Sequence, residues 1–113
     1  MNGLSTHVLD LAAGRPAQGV AVRLEREETV GIWAILAERA TDADGRVRDL
    51  IAAGELRPGR YRIEFATGPY LEAQGGPVFF PEVSVTFDVG DPSTHVHVPL
   101  LLSPFGYSTY RGS

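Results

Sequence analysis

Apolar and polar residues alternate with a period of two along most of this 113-residue chain, the spacing of strands that turn one face to a core. Val20, Val22 and Leu24 alternate with Ala21, Arg23 and Glu25. Tyr61, Ile63 and Phe65 alternate with Arg60, Arg62 and Glu64. Val83, Val85, Phe87 and Val89 alternate with Glu82, Ser84, Thr86 and Asp88. In "THVHVPLLL", Val96, Val98 and Leu100 share one face, and His95, His97 and Pro99 the other. The first stretch, "LSTHVLDL", alternates less cleanly, with Leu4, Thr6 and Val8 opposite Ser5, His7 and Leu9.

Turn signals divide these runs: "AAGRPAQG", "DADGR" before Val47, "LRPGR" before Tyr61 and "GDPS" before the histidine strand. Short strands joined by such turns predict an all-β sandwich or barrel. The segment 30–40, "VGIWAILAERA", has apolar residues on both faces of a strand and would also fit an amphipathic helix. Its neighbours favour a strand, covered on both sides. Helix formers in "PYLEAQGG" followed by glycines predict one short helix at about 69–75. No repeat or linker interrupts the pattern, so residues 1–113 are expected to form a single domain.

Composition narrows the chemistry. The net charge of −4 argues against nucleic acid as the partner. The chain has no cysteine, so disulfides, thiolate metal sites and a cysteine nucleophile are excluded. All ten basic residues are arginine, which excludes a lysine Schiff base or lysine general base. The start "MNGLSTHVLD" has neither a basic nor a long apolar region, so no signal peptide is expected and the expected compartment is the cytoplasm. No apolar run is long enough to span a bilayer as a helix.

Three histidines, His7, His95 and His97, are the side chains whose ordinary pKa lies near neutrality. His95-x-His97 puts two rings on one strand face. The plain reading is a solvated pair; the sharper one is chelation of a metal, with His7 as third donor. Arg46, just after a D-G turn, is either a solvated turn arginine or a fork that grips a planar, carbonyl-rich ligand. Arg48 has only the first reading. No G-x-S-x-G elbow, paired carboxylates or phosphate loop is present. Phe79 and Phe80 are adjacent, so one of them should point outward, toward a subunit contact.

The segment "HVHVPLLLSPFGYSTYRGS" closely resembles the C-terminal signature of the 5-hydroxyisourate hydrolases, enzymes related to transthyretin. "LSTHVLDLAAGRPAQGVAV", "TDADGRVRDL", "GRYRIEF" and "FFPEVSVTF" extend the resemblance, in order, from Leu4 to Ser113. It implies a transthyretin-like sandwich of two four-stranded antiparallel sheets with one short helix. It also implies a homotetramer, a dimer of dimers with active sites in the channel where dimers meet. The catalytic positions it implies are His7, Arg46 and His97, where transthyretin, a hormone carrier, has lysine, glutamate and threonine. The terminal Tyr110, Arg111, Gly112 and Ser113 match the family's Y-R-G-S motif, which lines the same channel. Val96 stands where the family often has tyrosine.

The implied reaction is hydrolytic opening of the six-membered lactam ring of 5-hydroxyisourate, giving 2-oxo-4-hydroxy-4-carboxy-5-ureidoimidazoline on the route to allantoin. His7 and His97 would converge on one water, with either ring as the base. Arg46 would bind the ring and stabilise developing negative charge. Arg111 and the carboxylate of Ser113 would close the pocket. No metal or cofactor is implied, and no membrane.

Overall fold

The computed structural model describes residues 2–113. Nine strands and one helix follow in the order β1 (Leu4–Asp10), β2 (Arg15–Pro16), β3 (Ala21–Thr29), β4 (Ile32–Ala40), β5 (Arg46–Ile51), β6 (Gly59–Ala66), α1 (Thr67–Ala73), β7 (Val83–Val89), β8 (Val96–Ser103) and β9 (Gly106–Thr109). They form the expected all-β sandwich. One sheet runs β4-β3-β6-β7, entirely antiparallel. In the other, β9 and β1 flank β8, and β2 and β5 both pair with the far edge of β1.

Two details depart from two antiparallel sheets of four. The "AAGRPAQG" turn contains a two-residue strand, so the second sheet has five strands. Its central pair, β1 with β8, is parallel. Side-chain alternation is the same for either strand direction, so the sequence pattern does not report this.

The inner faces are those the alternation predicts. Leu4, Val8, Val20, Leu24, Ile63, Phe65, Leu100 and Leu102 are fully buried between the sheets. Each such side chain contributes roughly 1.5–3 kcal/mol relative to exposure. Thr6 is polar but inward; its hydroxyl donates to the Val98 carbonyl at 2.6 Å, which satisfies it and ties β1 to β8. The helix begins two residues earlier than predicted, and Gly75 (φ 78°) follows its C-cap. Tyr70 fastens the helix to the end of β1 through a buried 2.7 Å hydrogen bond to Asp10. Burial, then the Asp10 carboxylate, pushes the Tyr70 hydroxyl up to about 12, so it stays protonated and donating.

Segment 30–40 is a strand, β4, but it is not covered on both sides within one chain. It is an edge strand on which Ile32, Ile35 and Leu36 are exposed. Phe79 is the outward member of its pair, and Phe80 packs against the core.

Candidate active site

With Leu4, Thr6, Val8, Val96, Val98 and Leu100 turned into the core, the next residues on β1 and β8 must face outward. Ser5 and His7 on β1, and His97 on β8, therefore share the outer face of the five-stranded sheet. Register brings them together. Ser5 is the parallel partner of His97, and His7 is the antiparallel partner of Arg46 on β5. Directly paired residues of antiparallel strands hold their β-carbons about 5 Å apart.

The turn before β5 sets that register. The Asp42 carboxylate accepts from the backbone N–H groups of Asp44 (2.9 Å) and Arg46 (3.0 Å). These bonds, Arg46's first, hold its carboxyl below the usual carboxylate range. Gly45 then takes φ 74°, and its carbonyl accepts from Val8 N–H at 2.7 Å. A β-carbon there would run into the Val8 carbonyl oxygen. Gly45→Ala should cost about 1–2 kcal/mol from the left-handed backbone alone and more from the collision. We expect a fall in Tm of roughly 5–10 °C; an unchanged melting curve would mean the turn is not rigid. Arg48, which looked like a solvated turn residue, is one: it pairs with Asp44 (3.3 Å) and Asp42 (3.9 Å) at the surface. Arg46, paired with His7, lies on the histidine face, and its charge bears on His97.

The His7 ring nitrogen Nε2 lies 2.8 Å from the Asp44 carbonyl oxygen. A carbonyl only accepts, so Nε2 carries the proton, and Nδ1 of neutral His7 carries the lone pair. The His7 and His97 ring centroids are 6.5 Å apart, tilted by 37°. That exceeds the reach of a direct N–H···N bond and leaves room for a bridging water. His97 is half-buried, and burial, then the Arg46 charge, then His7 and His95, hold its pKa below 6.5. The unfolded ring takes its proton at higher pH than the folded one, so His97 subtracts stability as pH falls below about 6.5. Arg46→Gln should raise the His97 midpoint partway, since burial remains. A proton-NMR titration reads this, and an unmoved midpoint would contradict the placement of Arg46.

The tail divides. Past β9 the chain crosses β8, where Gly112 N–H donates to the His97 carbonyl at 2.8 Å. A β-carbon on Gly112 would stand 2.6 Å from His97 Cδ2. Gly112 is thus brought to the site. Tyr110 and Arg111 instead border a cavity of about 250 Å³ between β7 and β8, with Asp88, Asp91, Val96 and Val98. Ser113 is exposed at the end. Among the described residues no group of three or more His, Cys, Asp or Glu is arranged to hold a metal ion. The residue that sequence reasoning passed over is Ser5: its Oγ lies 2.7 Å from both His95 Nε2 and His97 Nδ1. Its place on the His7 face of β1 was the available signal.

The match to known proteins spans the chain. The family model described as HIUase/Transthyretin family matches residues 4–112. The 5-hydroxyisourate hydrolase of Caulobacter vibrioides is 52% identical over the full length of both chains. A Klebsiella pneumoniae 5-hydroxyisourate hydrolase structure superposes with a TM-score of 0.86 at 40% identity, again over all of both chains. Sea bream transthyretin in complex with thyroxine superposes as well, with a TM-score of 0.90 at 36% identity, over 97% of this chain and 94% of that one. A named hydrolase and a transthyretin share this backbone, and over residues 4–112 this chain belongs to the HIUase/Transthyretin family.

Proposed function

We propose that this chain is a hydrolase that opens the lactam ring of 5-hydroxyisourate, and that His7, Arg46 and His97 do the chemistry. The observation that carries this is their convergence on one sheet face, with two imidazoles separated by the width of a water and a guanidinium beside them. Identity to named 5-hydroxyisourate hydrolases over the whole chain supports the substrate.

His7, with its Nε2–H committed to Asp44, takes a proton from water at Nδ1. The hydroxide adds to the lactam carbonyl. Arg46 stabilises the oxyanion through paired N–H donors. The C–N bond breaks, and the departing ring nitrogen takes a proton from His97 Nε2. The product gains one oxygen and two hydrogens from water, so no metal or cofactor is required for balance. In H₂¹⁸O the new carboxylate should gain one ¹⁸O, at a rate above buffer and unchanged by a chelator. A rate that drops with chelator would point to a metal-dependent reaction.

Residues 1–113 act as one unit, and four copies form a dimer of dimers with sites where dimers meet. Two observations support assembly. On one chain His7, Arg46 and His97 are only half-buried, and Phe105 and Tyr110 remain 69% and 54% exposed. Tyr110, Arg111 and Ser113 complete the channel in that assembly. Among the described residues no helix is long and apolar enough to cross a membrane.

A further inference from the structure

We propose that Ser5 and His95 form a proton relay from solvent to His97, and that the Ser5 hydroxyl, 2.7 Å from a nitrogen of each ring, couples which nitrogen of His97 is protonated to the state of His95. The catalytic consequence rests on the hydrolase reading; the coupling itself does not.

A serine hydroxyl has one proton to donate. It cannot donate to both rings at once, so when it donates to one ring the other gives to it; in the remaining arrangement both rings donate to its two lone pairs and no proton passes between them. If His95 donates from Nε2, Ser5 donates to His97 Nδ1, and the His97 proton sits on Nε2. If Ser5 donates to His95, His97 donates from Nδ1, and its Nε2 holds the lone pair. Charging His95 commits its Nε2 as a donor, which excludes the second state and frees the Ser5 proton for His97 Nδ1.

This removes a difficulty in the mechanism. Neutral His97 that gives up its Nε2 proton would become an imidazolate. With the relay, Ser5 passes its proton to His97 Nδ1 as the Nε2 proton leaves, and His95 Nε2 refills Ser5. His95 goes from imidazolium to neutral, His97 ends neutral, and one proton has crossed from His95 to the ring nitrogen. Location suits the roles. His95 is exposed, where a charged imidazole keeps its hydration. His97 is half-buried, and the groups facing it are cationic or titratable: His7 from β1, Arg46 from β5 and His95 from the residue just before β8. From the crossing tail, Gly112 offers only backbone. Two carboxylates are engaged elsewhere: Asp44 pairs with Arg48 at 3.3 Å, and Asp91 accepts from Ser93 N–H at 2.9 Å.

The test uses ¹⁵N-labelled protein and the variants His95→Gln and Ser5→Ala. Glutamine keeps a hydrogen bond to Ser5 but carries no transferable proton. In the wild type, ring ¹⁵N shifts should move the His97 proton from Nδ1 to Nε2 as His95 charges. In His95→Gln, kcat should fall about 10-fold with KM unchanged, short of the 10²–10⁴ of a directly reacting group, and imidazole buffer should restore it. Ser5→Ala should lose as much and abolish the coupling. A His97 tautomer indifferent to His95, or a His95→Gln kcat equal to wild type, overturns the relay. If the wild type does not accelerate hydrolysis, the hydrolase reading fails, and the ring shifts alone decide the coupling.

Discussion

His97→Asn should lower kcat on 5-hydroxyisourate by 10²–10⁴-fold, the range for loss of a positioned acid or base. That corresponds to about 3–5 kcal/mol of transition-state stabilisation. Asparagine is the informative choice. Its amide reaches the position of Nδ1, so the contact with Ser5 (2.7 Å) can persist. The backbone bond from Gly112 to the carbonyl of residue 97 is untouched. Only Nε2 is lost. A variant within about fivefold of wild type would show that His97 positions the substrate without transferring a proton, well below the expected range. Steady-state rates with melting curves separate that outcome from misfolding.

Gly112→Ala should cost nearly as much without adding or removing any functional group. Its β-carbon would lie 2.6 Å from His97 Cδ2, closer than carbon atoms approach, and a tight 3.3 Å from Cγ. The tail cannot retreat freely, because Gly112 N–H is bonded to the His97 carbonyl. The imidazole must therefore move, and a displacement of about 1 Å in a reacting group can cost about 10²-fold. Tm should change little, since neither residue belongs to the core between the sheets. Gly106→Ala is the control, because a β-carbon there meets nothing within 4 Å. If Gly112→Ala retains full activity, the crossing tail does not position His97.

The short β2 and β9 and the strand β5 were not read as strands, whereas β1, β3, β6, β7 and β8 were legible because burial on one face imposes a period that survives in the residues themselves. Tyr61, Ile63 and Phe65 show this directly. Strand direction leaves no such trace, so the parallel pairing of β1 with β8 was hidden, and with it the alignment of Ser5 with His97. Segment 30–40 read as a strand covered on both sides because its apolar residues fall on both faces. In one chain it is an edge strand on which Ile32 and Ile35 are exposed. At the site, composition and spacing marked the histidines and left Arg46 ambiguous. The resemblance singled out His7, Arg46 and His97, and the turn from Asp42 to Gly45 gives the physical reason the arginine lies opposite His7. Tyr110 and Arg111 were grouped with them by motif, whereas a single chain places them beside the cavity between β7 and β8.

The central claim is that this sheet face turns a transthyretin-like scaffold into a hydrolase. It is tested most directly by following freshly made 5-hydroxyisourate by ultraviolet absorbance, with wild-type protein against buffer. The account predicts decay that is faster in proportion to protein concentration and is unaffected by chelator. Decay at the buffer rate, from protein that is folded and assembled, would contradict it and leave the fold in the role of a carrier.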